Sequence, residues 1–192
     1  MATMAEVPTA TLTYEAYMAE PETKGRYDIV NGVRIFQPEV TWRRQRMLLH
    51  VSGELFGHKR ETGGHVVHTP FDVLIRREPL QIRQPDVLFI SHERLMAGGG
   101  PPKVGPLEIA PELAVEIISD SETQRILGDK LADYVEIGVD ECWVVRPEDR
   151  TVEVLALSPQ GARSVRVFGD GEVVASVVFA DLSVAVADVL AA

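Results

Sequence analysis

The sequence predicts an α/β or α+β domain: a mixed central β-sheet flanked by helices, with additional β-hairpins. Three observations carry that expectation. Apolar residues recur with helical period in two segments, 40–62 and 122–137; short β-branched runs lie between and after them; and turn signals such as Asn31-Gly32, Gly63-Gly64 and Gly138 separate the two kinds. At 192 residues the chain can bury a sizeable core as one domain, assigned to 11–192, with 1–10 expected to be a disordered N-terminal segment.

Thr11 to Ala19 reads as a short helix with Thr11 or Thr13 as N-cap, stopped before Pro21. In RYDIVNGVRIF, Asn31-Gly32 is the dipeptide that best fits a two-residue hairpin turn, which predicts a strand on either side. From Val40 to about Thr62, Met47, Leu48, Val51 and Leu55 recur at helical spacing, and Gly63-Gly64 supplies the stop. The other face of this helix is basic. His65 to Ile75 and Leu80 to Ile90 read as a strand pair turning at Arg76 to Pro79. AGGGPPKVGP is a loop and not a phosphate cradle, since neither Gly-Lys-Ser nor Gly-Lys-Thr follows it. PELAVEIISD holds a strand, followed by a helix from Glu122 to Ile137. There Leu127, Leu131 and Val135 form one row, and Ile126, Lys130 and Tyr134 the next. ECWVV and TVEVLAL are strands across a turn at Pro147 to Arg150, and ARSVRVF and VVASVVF are expected to pair around GDGE. DLSVAVADVL supplies a short strand and a last helical turn.

Composition narrows the function classes. No apolar run approaches the roughly 20 residues that span a bilayer. Met1 to Pro8 lacks the basic and apolar regions of a signal peptide, so a cytoplasmic location is expected. The single Cys142 has no disulfide partner and no zinc-ligand spacing around it, and reads as a small buried hydrophobe. A net charge of −10 argues against a general nucleic-acid coat, yet the charge is uneven: 42–85 carries 8 basic and 4 acidic residues, whereas 86–192 carries 8 and 19. Arg43, Arg44, Arg46, Lys59 and Arg60 in that middle stretch are candidates for nucleic-acid contact, with a solvated helix face as the alternative.

One carboxylate demands a reason. Glu116 sits among Leu113, Val115, Ile117 and Ile118, where a charge costs roughly several kcal/mol unless a partner or a metal compensates it. Either strand alternation points it out of a half-exposed sheet, or it is a buried ligand; Ala114 and Ile118 share its face, which weakens the first account. Asp86 opens PDVLFI, at the equivalent point of a neighbouring strand candidate. If the two strands pair, both carboxylates can reach one cation. Magnesium takes only one or two protein carboxylates and keeps positions for water and substrate phosphate. Such an ion acidifies its water and neutralises charge on a phosphoryl oxygen, and a lysine beside it would orient or deprotonate that water. Without metal the two carboxylates should repel, so Glu116→Gln is expected to leave the metal-free protein unchanged or more stable.

The ordered series PD, then ExI in a hydrophobic strand, then a helix with Lys and Tyr one turn apart, then GVDECWVVRPEDRTVEVLAL, resembles the Uma-two family of restriction endonucleases in the PD-(D/E)xK superfamily. The resemblance runs from TLTYEAYMAEPETKGRYDIVNG through PFDV, QPDVLFI and PELAVEIIS to the last strands. It implies a restriction-endonuclease-like core, a site for Mg2+ or Mn2+, and hydrolysis of DNA phosphodiesters. Asp86 and Glu116 would be the metal ligands and Lys130 the third catalytic group, with Asp28 and Tyr134 as accessory candidates. The superfamily's lysine lies two residues after the acid, where this chain has Ile118; Lys130 in GDKLADY matches a place on the following helix from which a long stem can reach back. Ile126 and Asn31 replace acids often found in relatives, and Arg44 stands where they often carry His. These departures keep open a catalytically inactive nuclease-fold module that binds nucleic acid or protein. A homodimer is expected in either case, because double-strand cutting uses two sites and the hairpin edges need covering.

Overall fold

The structure, a computed structural model, describes residues 11–20, 25–37, 41–118 and 124–191, without the side chains of 59–62. The segment 1–10 assigned as a disordered N-terminus therefore lies outside the described residues, as do the starts of the two long helices expected at Val40 and Glu122.

The chain opens with α1 (Tyr14–Ala19), whose N-cap Thr13 accepts the Ala16 N–H on its hydroxyl. Strands β1 (Tyr27–Val30) and β2 (Val33–Phe36) flank Asn31 and Gly32, at φ 50° and 76°, the left-handed pair a primed two-residue turn requires. Helix α2 (Trp42–Thr62) buries Met47, Leu48, Val51 and Leu55, and two glycines at positive φ, Gly63 and Gly64, end it.

The expected strand pair over 65–90 is instead four strands in two sheets: β3 (His65–His68), β4 (Val73–Arg76), β5 (Gln81–Arg83) and β6 (Val87–Ile90). Pro70 and Pro85 lie at the two breaks, where a residue without an N–H cannot continue a ladder. Helix α3 (His92–Ala97), capped by Ser91, was not anticipated in a run this short. Then come β7 (Leu113–Ile117), α4 (Gln124–Ile137), β8 (Glu141–Arg146), β9 (Thr151–Ser158), β10 (Gly161–Phe168), β11 (Val173–Ala175), β12 (Ser183–Ala185) and α5 (Val186–Val189). The expected pairing around GDGE is not formed: β10 returns along β9, and β11 pairs with β12.

The central sheet has six strands in the order β10-β9-β8-β7-β6-β3, with β7 and β8 parallel and the other neighbours antiparallel. Helix α4 is thus the crossover of a βαβ unit. A second, antiparallel sheet, β2-β1-β5-β4, stands beside it. Strand alternation divides the core into two layers. Val115 and Ile117 pack with Val87, Phe89, Trp143 and the apolar face of α2. Ala114 packs with Leu88, Cys142, Val144 and α4 through Leu127 and Tyr134. Both faces of β7 are covered, so Glu116 cannot be the outward side of a half-exposed strand.

Candidate active site

Antiparallel register between β6 and β7 sets Val87 opposite Val115, which brings Asp86 beside Glu116. Asp86 is anchored to β7 by the backbone next to Glu116: the Ile117 N–H donates to Asp86 Oδ2 at 2.7 Å. Both carboxylates are fully buried, at 0% exposure. From α4, Lys130 Nζ donates to Glu116 Oε2 at 2.8 Å and the Tyr134 hydroxyl donates to Glu116 Oε1. Residues four apart share a helix face, so α4 presents both groups to one carboxylate. Burial, and then the Glu116 carboxylate, push the Tyr134 phenol well above the ordinary tyrosine range, which keeps it a donor.

Asp86 has cationic partners of its own. Arg26 Nη2 donates to Oδ1 and Arg44 Nη2, from the first turn of α2, to Oδ2, each at 2.6 Å. Arg26 is further braced by Thr69, whose hydroxyl accepts from its Nε at 3.1 Å and whose N–H donates to the Asp86 carbonyl at 3.0 Å. Arg44 was a candidate for external nucleic-acid contact and here faces the site; Arg26 was not anticipated. The expected repulsion between Asp86 and Glu116 is accordingly overturned, since each carboxylate carries at least one cation. Breaking such a buried pair is costly, so the expectation for Glu116→Gln in the metal-free protein reverses.

Asp28, on β1, belongs to an adjoining network. Its oxygens accept from the Gln84 N–H at 3.2 Å, Gln37 Nε2 at 3.2 Å and Arg83 Nη1 at 3.0 Å. Arg83 Nε reaches Asp133 on α4 at 2.6 Å, and Gln81 joins the same oxygen at 2.7 Å. Burial opposes the Arg83 charge, but Asp28 and Asp133 outweigh it and hold the guanidinium above its ordinary value. The neighbouring sheet and the site helix are therefore tied at Asp133 through Arg83 and Gln81, and at Glu136 through Arg76.

The basic residues of α2 divide. Arg43 is exposed and pairs with Glu148 at 2.5 Å and the Pro147 carbonyl at 3.2 Å, while Arg46 lies 3.3 Å from His50 on the exposed side. The side chains of Lys59 and Arg60 lie outside the described residues. A buried acid is not by itself a site: Glu141, also at 0% exposure, is satisfied by Trp143 Nε1, the Ser176 hydroxyl and the N–H groups of Val177 and Val178, all neutral. Asp86 and Glu116 differ in facing cations.

Among the described residues no cluster of three or more His, Cys, Asp or Glu side chains forms a metal cage. The donor set instead fits an ion that needs few protein ligands: two adjacent hard carboxylates suit magnesium or manganese, with water and phosphate completing the shell. Three cationic side chains stand around those two carboxylates, an excess of positive charge that suits a polyanion.

The mixed sheet thus brings together an acid at the mouth of one strand, an acid within its neighbour and a lysine on the crossover helix. The family model described as "Uma2: Putative restriction endonuclease" matches residues 13–187, and the chain belongs to that family. Its fold is similar to that of a solved protein from Anabaena variabilis, described as "a putative nuclease belonging to DUF820", with a TM-score of 0.76 and 18% identity over 94% of this chain and 98% of that one. No curated protein sequence matches this chain. No described helix is long and apolar enough to cross a membrane.

Proposed function

We propose that the protein is a magnesium- or manganese-dependent nuclease that hydrolyses DNA phosphodiester bonds and works as a homodimer. The observation that carries this reading is the convergence of Asp86, Glu116 and Lys130 at the crossing of β6, β7 and α4. Asp86 and Glu116 would hold the ion, which when bound supplies charge neutralisation at the phosphate and acidifies water. Lys130, which donates to a Glu116 oxygen, would as an ammonium orient the attacking water or stabilise the pentavalent state. Tyr134 fixes the Glu116 rotamer from the opposite oxygen. Arg26 and Arg44, at the mouth of the site, are placed to take phosphate oxygens when they leave Asp86.

One observation favours a second reading. Both oxygens of Asp86 and both of Glu116 are satisfied by side chains and backbone, which also describes a closed ion-pair network in a binding module that has lost catalysis. Thermal unfolding across millimolar magnesium and manganese separates the two. The nuclease is expected to gain stability with metal, to lose that gain in Asp86→Asn, and to cleave single- or double-stranded DNA or RNA in a mixed-substrate assay that Glu116→Gln abolishes. No response to metal at any concentration, with no cleavage, selects the binding module.

A further inference from the structure

Beside the carboxylate cluster lies a cavity of about 420 Å³ that the chemistry above does not use. Its volume falls in the range of small-molecule sites. Three chain segments lead into it from Asp86 within one or two residues. Arg26 holds Asp86, and its neighbour Tyr27 lines the cavity; the Thr69 N–H holds the Asp86 carbonyl, and Pro70 lines the cavity; Gln84, two residues before Asp86, lines it as well.

The walls have two polar ends and an aromatic middle. At one end Asp72 accepts the hydroxyls of Tyr17 at 2.5 Å and Tyr27 at 2.7 Å, and the Gln84 amide at 2.7 Å. Burial first, and then Asp72, raise both phenols above the ordinary range, so these protons stay on the tyrosines and point at Asp72. What this end offers a ligand is therefore spare acceptor lone pairs. At the other end are Lys103, exposed and without an ion pair among the described residues, and Arg34. Arg34 pairs with Glu20 at 2.7 Å and lies 4.8 Å over the Tyr27 ring, while its buried Nε finds no acceptor among the described residues. Phe71 adds a third ring.

This combination rejects the simpler ligands. A free phosphate on Arg34 and Lys103 would leave the Asp72 end unmatched, a metal ion or amine on Asp72 would leave Arg34 and Lys103 unmatched, and an apolar molecule would leave both ends unsatisfied. A flat ring that carries donors and is joined to an anion satisfies both ends and stacks on the rings between. We propose that the cavity is a nucleotide subsite: it takes one unstacked nucleotide adjoining the scissile phosphate, its base between the tyrosines with amino or ring N–H groups toward Asp72, its phosphate on Lys103 and Arg34. This assignment to a substrate strand rests on the nuclease reading. It implies a preference for single-stranded or frayed nucleic acid, because a paired base cannot enter.

The test separates the two claims. Binding of dAMP, dCMP, dGMP, dTMP and inorganic phosphate, each alone, is measured by ligand-observed NMR in EDTA, so that no metal is needed. Mononucleotides are expected to bind tighter than phosphate, and Lys103→Glu, a surface change with no role in folding, should weaken them about tenfold or more. Asp72→Asn should alter the ranking of the four bases. Equal binding of phosphate and nucleotides, no saturable nucleotide binding, or no response to Lys103→Glu overturns the subsite. Manganese-dependent cleavage of a single-stranded oligonucleotide is scored in parallel. Cleavage without nucleotide binding refutes the subsite and spares the nuclease; nucleotide binding that responds to both variants without cleavage does the reverse.

Discussion

Glu116 and Lys130 form a pair whose side chains are 0% and 3% exposed, and at that burial each charge depends on the other. Removing one partner strands the remaining charge in the core, which costs about 3–5 kcal/mol, whereas removing both replaces an ion pair by a neutral contact at far smaller cost. In the metal-free protein Glu116→Gln and Lys130→Met are each expected to be strongly destabilising, and the double variant to recover most of the loss. Urea unfolding of the four proteins measures this; additive losses would show that the two residues do not act on each other. Function splits them in another way. Metal stabilisation should survive Lys130→Met, since the lysine is no ligand, and should be absent from Glu116→Gln. The lysine on α4 thus neutralises Glu116, the electrostatic work a divalent ion is also proposed to do there.

Helix α2 joins the site to the surface. Its buried stripe of Met47, Leu48, Val51 and Leu55 fixes its rotation, and this rotation turns Arg44 inward onto Asp86 while leaving Arg43 and Arg46 outside. If the outer pair meets phosphates, Arg43→Gln and Arg46→Gln should each weaken DNA binding and reduce the slope of log K against log salt by about one unit. A slope that does not change assigns both to a solvated face. Arg44→Gln belongs to a different class, because it removes one of two guanidinium groups from a buried carboxylate. The helical period of α2 puts Arg44 on the side of the buried stripe; that it meets a carboxylate there depends on a partner 42 residues away.

At the scale of the molecule, β2 is an edge strand of the smaller sheet and leaves Val33, Ile35 and Phe36 48%, 48% and 62% exposed. Open strand edges with apolar side chains invite pairing. Light scattering at tens of micromolar is expected to give the mass of a homodimer; a monomer mass would remove that part of the proposal. Much of the architecture was legible beforehand because it is periodic: the hairpin at Asn31-Gly32, the long helix, the Glu116 strand and the crossover helix each carry a local signal. Asp86 and Glu116 were legible together because they sit on neighbouring strands, and Lys130 because a family pattern pointed to it. Arg26 was not, since it meets Asp86 across 60 residues with no repeat to betray it. The splitting of 65–90 into two sheets is decided by where Pro70 and Pro85 interrupt the ladders, and the fate of β10 by competition between two possible neighbours, which no single strand records.

Arg83 has a consequence for how such a sequence can change. One guanidinium, 4% exposed, serves Asp28 on the smaller sheet and Asp133 on the helix that carries Lys130 and Tyr134. Losing Arg83 leaves two uncompensated carboxylates in the interior, whereas losing either aspartate still leaves a matched Arg83–carboxylate pair, so it is the arginine that cannot drift alone at small cost. Positions 28 and 133 are then both hostage to position 83, and through α4 the tolerance of the smaller sheet to mutation is bound to that of the site. The order of exchange should therefore matter: either acid can change while the other still holds the guanidinium, and the arginine can change only after both acids have gone.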